Sequence, residues 1–173
     1  MESPEEYLAK KVSWQLFATL TFRAVPPDAV KRKMLHAWLS WFGDLEQAKG
    51  REAATGATPR KKEVLWMVRE ELGEISGRFH YHVLLAGLSK NLVNVRTAMA
   101  SCARWEKLHG GMARNYVYSP YLDGVAYVLK GLSQDDDWKR FGAINYEIGK
   151  FQEAEGRRVL LGHSLQWKLA TRT

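Results

Sequence analysis

The chain has a single cysteine, Cys102. One thiol closes no intrachain disulfide and builds no cysteine-based zinc site. No glycine-rich GKS or GKT loop occurs, so P-loop nucleotide chemistry has no seat. No apolar run approaches the length of a membrane span. The polar, acidic start "MESPEEYLAKKVSW" lacks the apolar core of a signal peptide. These absences lead to the expectation of a soluble protein working inside a cell. No internal repeat or low-complexity tract is present. Acidic residues are the scarcer charge, with Asp+Glu 19 against Lys+Arg 26 and a net charge of +7. That excess points to a polyanionic partner, most often nucleic acid.

Aromatic residues, by contrast, are plentiful: seven Trp and seven Tyr in 173 residues. They serve a core, and they also stack on unpaired bases. With 46% hydrophobic residues the chain is globular, and its length fits one domain, residues 1–173.

Period-two alternation in "WQLFATLTFR" (14–23) predicts a strand, stopped by Pro26-Pro27. A helix is expected from about Asp28 to residue 48, with Val30, Met34, Trp38, Trp41, Phe42 and Leu45 on its apolar stripe. Residues 49–62 read as a loop. "EVLWMVREE" (63–71) and "FHYHVLLAG" (79–87) read as two strands of a hairpin joined by "LGEISGR". Residues 89–108 read as a helix with Leu92, Val95, Met99 and Cys102 inward, ended by Gly110-Gly111. "ARNYVYS" (113–119) is a fourth strand, and "YLDGVAYVLKGL" (121–132) a further helix. A strand and irregular pieces are expected near the C-terminus. The order implies an α+β fold: an antiparallel sheet of about five strands, with a βαββαβ core of split-βαβ, RRM-like type and helices packed on it.

"GRFHYHVLL" (77–85) raises the sharpest chemical question. On a strand, His80 and His82 point to one face. A buried imidazole needs a partner, because an unsatisfied buried polar group costs about 1–3 kcal/mol. A metal ion satisfies both at once; backbone or water bonds at a strand edge are the plainer alternative. Glu70 and Glu71 end the strand that returns to the histidines, and whichever shares their face completes a ligand set. Two further signals are Thr19 and Thr21 on one face of the first strand, and Tyr127 and Lys130 at i and i+3 of a helix.

In this order and spacing the signals resemble the HUH endonucleases (His-hydrophobic-His), above all the single-tyrosine rolling-circle replication initiators of the Rep type. "FATLTF" is similar to the first motif of that family, "GRFHYHVLL" to the second, and "AYVLKGL" to the third, Tyr-x-x-Lys. The resemblance covers roughly residues 14–132; residues 133–173 carry no recognised motif. Tyr81 between the histidines is a departure toward an amphipathic residue. The third motif holds one tyrosine, not the pair of some members.

The resemblance implies nicking and joining of single-stranded DNA for rolling-circle replication. Tyr127 is the implied nucleophile and Lys130 its helper. Mn²⁺ or Mg²⁺ is the implied cofactor, held by Glu71, His80 and His82. "ELGEISGRFHYH" resembles the family pattern with Glu71 as the acid. Glu70 and Glu74 are alternatives, since a one-residue register change flips the face. Thr19 and Thr21 would support the histidines from the neighbouring strand. The implied partner is single-stranded DNA or an origin hairpin. Strand opening is left to a host helicase, and no membrane is involved. The implied setting is the cytoplasm of a cell hosting a plasmid, phage or other small replicon.

Three basic clusters are candidate phosphate contacts: Lys31-Arg32-Lys33, Arg60-Lys61-Lys62 and Arg157-Arg158. Trp138 and Tyr116 are candidate stacking residues. His36, His109 and His163 have no matching partner and are given no site role. Two other readings share these features. One is a single-tyrosine transposase of the same superfamily acting on insertion-sequence ends. The other is a metal-free, RRM-like module that binds nucleic acid without cutting it.

Overall fold

The structure is a computed structural model that describes residues 8, 10–53, 64–72, 77–122, 124–129 and 158–161. Its elements are β1 (Trp14–Phe22), α1 (Asp28–Ala53), β2 (Leu65–Leu72), β3 (Phe79–Ala86), α2 (Val95–Lys107), β4 (Gly110–Val117), α3 (Gly124–Leu129) and β5 (Arg158–Leu161). Short 3₁₀ turns precede α2 and α3. The strands form one sheet in the order β4-β1-β3-β2-β5, and every neighbouring pair is antiparallel. The class is α+β. Among the described residues, no helix is long and apolar enough to cross a membrane.

The sheet's two faces are treated differently. One is covered by α1 and α2. Leu16, Ala18, Leu20 and Phe22 of β1 and Tyr81, Val83 and Leu85 of β3 meet Leu35, Trp38, Leu39, Phe42 and Trp105 there. Each large apolar side chain so buried contributes roughly 1.5–3 kcal/mol. Among the described residues, the opposite face is covered over only part of its extent, where Leu8, Val12, Trp14, Met67, Leu84, Ala86, Val125 and Val128 form a second cluster. A register shift in β1 between Trp14 and Leu16 accompanies the division of these two residues between the clusters. The rest of this second face is polar and carries the site.

Three expected details are corrected. First, α1 runs on to Ala53, past the expected end at residue 48. Its inward stripe is turned toward Leu35 and Leu39, so Val30 is 43% exposed and Trp41 only partly buried.

Second, α2 does not turn Val95 and Met99 inward; they are 68% and 67% exposed. Thr97, Ala98, Ser101 and Trp105 face the sheet instead. The physical reason is space. Trp38 and Trp105 already fill the interface, so small residues must oppose them. The close approach lets the Trp38 indole N–H donate to the Ser101 carbonyl at 2.8 Å, and the Trp105 indole N–H to the Thr21 carbonyl at 2.7 Å. Asn94 caps the helix, its side-chain oxygen accepting from the Thr97 N–H at 2.9 Å;.

Third, Gly110-Gly111 does not end that helix. The helix stops at Lys107, and His109 takes the left-handed conformation with φ 65°. Both glycines belong to β4 and are there for close approach. A Cβ on Gly110 would lie 2.2 Å from the Trp105 indole nitrogen, and one on Gly111 would lie 2.8 Å from the Phe22 carbonyl carbon.

Candidate metal centre

Three strands build the site. In the pairing register Thr19 lies opposite His82, and Thr21 opposite His80. On the other side of β3, Arg69 lies opposite His82, and Glu71 opposite His80. Directly opposed residues share a face, so two rows of polar side chains cross the sheet. Glu70 lies opposite Tyr81 instead, and the strand's alternation sends it to the other face, where it is buried.

The side chains of Glu71, His80 and His82 converge. The Glu71 Oε2 atom is 3.7 Å from His80 Nε2 and 3.4 Å from His82 Nε2. One ligand atom from each residue lies within 4.8 Å of the other two. The two imidazole rings stand nearly perpendicular, with centroids 4.6 Å apart. Both Nδ1 atoms are engaged away from the centre. His80 Nδ1 meets the Arg78 carbonyl at 3.1 Å, and His82 Nδ1 meets the Thr19 hydroxyl at 3.1 Å. A carbonyl only accepts, so His80 donates from Nδ1, and its Nε2 faces Glu71;. Outer hydrogen bonds of this kind fix ring orientation in metal sites. Thr21 differs from Thr19, because its hydroxyl donates to the Met112 carbonyl at 2.7 Å.

The His82 side chain is almost fully enclosed. Burial first, then the neighbouring His80 and the Arg69 guanidinium, push its pKa down from 6.5 to about 4. It is therefore neutral near pH 7, the form in which imidazole ligates metal. Its buried Nε2 has no hydrogen-bond partner among the described residues. Two imidazole nitrogens and a carboxylate oxygen fit a divalent cation in ligand type;.

The helix α3 brings Tyr127 to the same place. Its ring packs edge-on against His82 with centroids 4.9 Å apart, and the residue is 45% exposed. Phe17 also stacks on His82, 5° from parallel at 5.9 Å. Tyr116 on edge strand β4 touches Phe17 at a centroid distance of 6.1 Å. Arg114, two residues earlier, lies opposite Thr19 and is exposed. Arg114 and Tyr116 thus flank the site on its open side.

Lys130 and Glu74 lie outside the described residues, as do Trp138, His163, Arg157 and the Arg60-Lys61-Lys62 cluster. Of Arg158 only the backbone is described. The Lys31 cluster is placed differently from expectation. Lys31 is buried, bonds Asp28 at 2.7 Å and lies 3.7 Å above the Phe79 ring. Its helix packs on the face opposite the metal centre. Residues that sequence reasoning passed over are Phe17, Arg69 and Arg114. Phe17 opens the "FATLTF" stretch, in which only the threonines were singled out, and Arg114 carries no motif signal. Arg69 had one: its spacing of two from Glu71 puts both on one strand face. No family model matches the chain, and no curated protein or solved structure matches it either.

Proposed function

We propose that this protein nicks and rejoins single-stranded DNA through a tyrosine nucleophile beside a divalent-metal centre, in the manner of rolling-circle replication initiators. The observation that carries the reading is the meeting of His80 Nε2 and His82 Nε2 at one Glu71 oxygen, with the Tyr127 ring against His82. Glu71, His80 and His82 would hold Mn²⁺ or Mg²⁺. When bound, such an ion acts as a Lewis acid that polarises a phosphate oxygen.

The chain's own residues do the rest. Tyr127 is open enough to meet a phosphodiester. A phenol has a pKa of about 10, so its oxygen needs cationic surroundings to attack. Lys130, one helical turn further on, is the proposed source of some of that charge. The tyrosine oxygen bonds to phosphorus as the P–O3′ bond breaks, and the phenolic proton ends on the 3′ oxygen. The 5′-phosphotyrosine linkage conserves the phosphodiester's energy, so the reverse reaction joins ends without ATP. On the open side, Arg114 offers a phosphate contact, and the Tyr116–Phe17 pair offers a stacking surface for a flanking base.

The test is incubation with single-stranded DNA carrying a hairpin, in Mn²⁺, followed by a denaturing gel. A protein–DNA adduct is expected. Binding without an adduct for any strand offered would favour the metal-free module instead. Adducts confined to insertion-sequence ends would favour the transposase.

A further inference from the structure

We propose that Arg69 is a positioning residue, which locks the helix carrying Tyr127 onto the strand pair carrying the metal ligands. The inference rests on the nuclease reading for its catalytic consequence, though not for its structural one.

The argument begins with cost. Arg69 is 2% exposed, and a buried guanidinium is expensive unless its donors are engaged. Its Nη1 donates to two backbone carbonyls, Tyr127 at 3.3 Å and Val128 at 3.1 Å. Both belong to the last turn of α3, where carbonyls have no partner within the helix. They also stand at the negative end of the helix dipole, which favours a cation. A helix from Gly124 to Leu129 is too short to hold its own geometry;. Among the described side chains, its apolar anchors are Val125 and Val128 in the second cluster. Two apolar contacts leave sliding and rotation open, whereas two hydrogen bonds from one nitrogen to successive carbonyls restrict both.

The same side chain reaches the metal centre. Arg69 Nε is 3.9 Å from Glu71 Oε2, and Arg69 lies directly opposite His82 in the sheet. One rigid group therefore spans from the nucleophile's own carbonyl to the carboxylate ligand. It sets how far Tyr127 stands from His80 and His82. Lysine is a poor replacement, because one ammonium on a flexible stem cannot hold the two carbonyls and also place a second nitrogen near Glu71, as Nη1 and Nε of the rigid guanidinium do;.

The test uses the full chain with Arg69→Lys, which keeps the charge. Three quantities are measured: Mn²⁺ affinity by calorimetry, single-turnover adduct formation on a 3′-labelled single strand, and amide hydrogen exchange. The expected result is unchanged Mn²⁺ affinity and unchanged DNA binding. Adduct formation at saturating DNA should fall about 100-fold, the scale of a misplacement of about 1 Å at a reacting centre. Exchange should quicken at residues 125–129 and stay as in the parent in β2 and β3. Adduct formation at the parent rate would overturn the proposal. So would a loss that tracks weakened Mn²⁺ binding, since Arg69 would then act through Glu71 alone. Unchanged exchange in α3 would overturn it as well. If Arg69→Lys fails to fold, Arg69→Ala with added guanidinium replaces it, and recovery of the adduct rate is the expected result; no recovery counts against the proposal. If the parent protein forms no adduct, the nuclease reading fails by itself, and exchange in α3 still decides whether Arg69 holds the helix.

Discussion

His82 is the residue on which most of the site's physics converges. Thr19 holds one ring nitrogen, Phe17 and Tyr127 pack its faces and edge, and the other nitrogen points toward Glu71. Removing the Thr19 hydroxyl with Thr19→Val should weaken Mn²⁺ binding about 10- to 100-fold while leaving the fold intact, as read by calorimetry. The depressed pKa also links His82 to stability in the metal-free protein. The unfolded chain takes up a proton on this imidazole below about 6.5, whereas the folded chain does so only near 4. Between those values the unfolded state binds more protons, so stability rises with pH across this window and is lost as pH falls through it. Urea unfolding between pH 4 and 7 should show that slope, and His82→Asn should flatten it. Glu71→Gln should abolish Mn²⁺ binding, whereas Glu70→Gln should leave it unchanged. Loss of affinity in Glu70→Gln alone would mean that the strand register is wrong.

At the scale of elements, β4 is the informative one. It closes the sheet edge next to β1, packs Ala113 against the helix-face core, and leaves Arg114 and Tyr116 on the open side. Arg114→Ala should weaken single-strand binding for all sequences alike, and should reduce the salt slope by about 0.7, one phosphate's worth. Tyr116→Ala should cost about 1–3 kcal/mol of binding if a base stacks there. Fluorescence anisotropy at several salt concentrations separates the two. The start of β4 is under steric constraint. Gly110→Ala forces a methyl into the Trp105 indole, and should destabilise by about 1–3 kcal/mol in thermal unfolding.

Across the whole molecule, the two faces of one sheet divide the labour. Helices α1 and α2 seal the first face and supply the core; among the described residues, α3 and the segment with Leu8 and Val12 cover only part of the second. The remainder, which no described element covers, holds the polar rows across β1, β3 and β2. Tyr127→Phe tests the assembled reading. It keeps the ring that packs on His82 and removes only the hydroxyl. Adduct formation should vanish while DNA binding stays nearly intact. An equal adduct yield would move the nucleophile to Tyr116, Tyr118 or Tyr121.

Local pattern alone determined a good deal. Alternation over 14–22 and 79–86 specified strands, because side-chain direction on a strand depends only on parity. The same parity put His80 and His82 on one face. The order of elements implied the antiparallel α+β sheet. Other features needed the third dimension. Parity says that Glu70 and Glu71 face opposite ways, but not which of them faces the histidines; the register of β2 on β3 decided that. Apolar spacing pointed Val95 and Met99 inward, yet beside the bulk of Trp38 and Trp105 the smaller Thr97, Ala98 and Ser101 are the residues buried. Arg69 drew no role from the sequence. Only the docking of α3 gave it two carbonyls to hold, because hydrogen bonds between residues 58 and 59 positions apart depend on tertiary packing and leave no local trace in the chain.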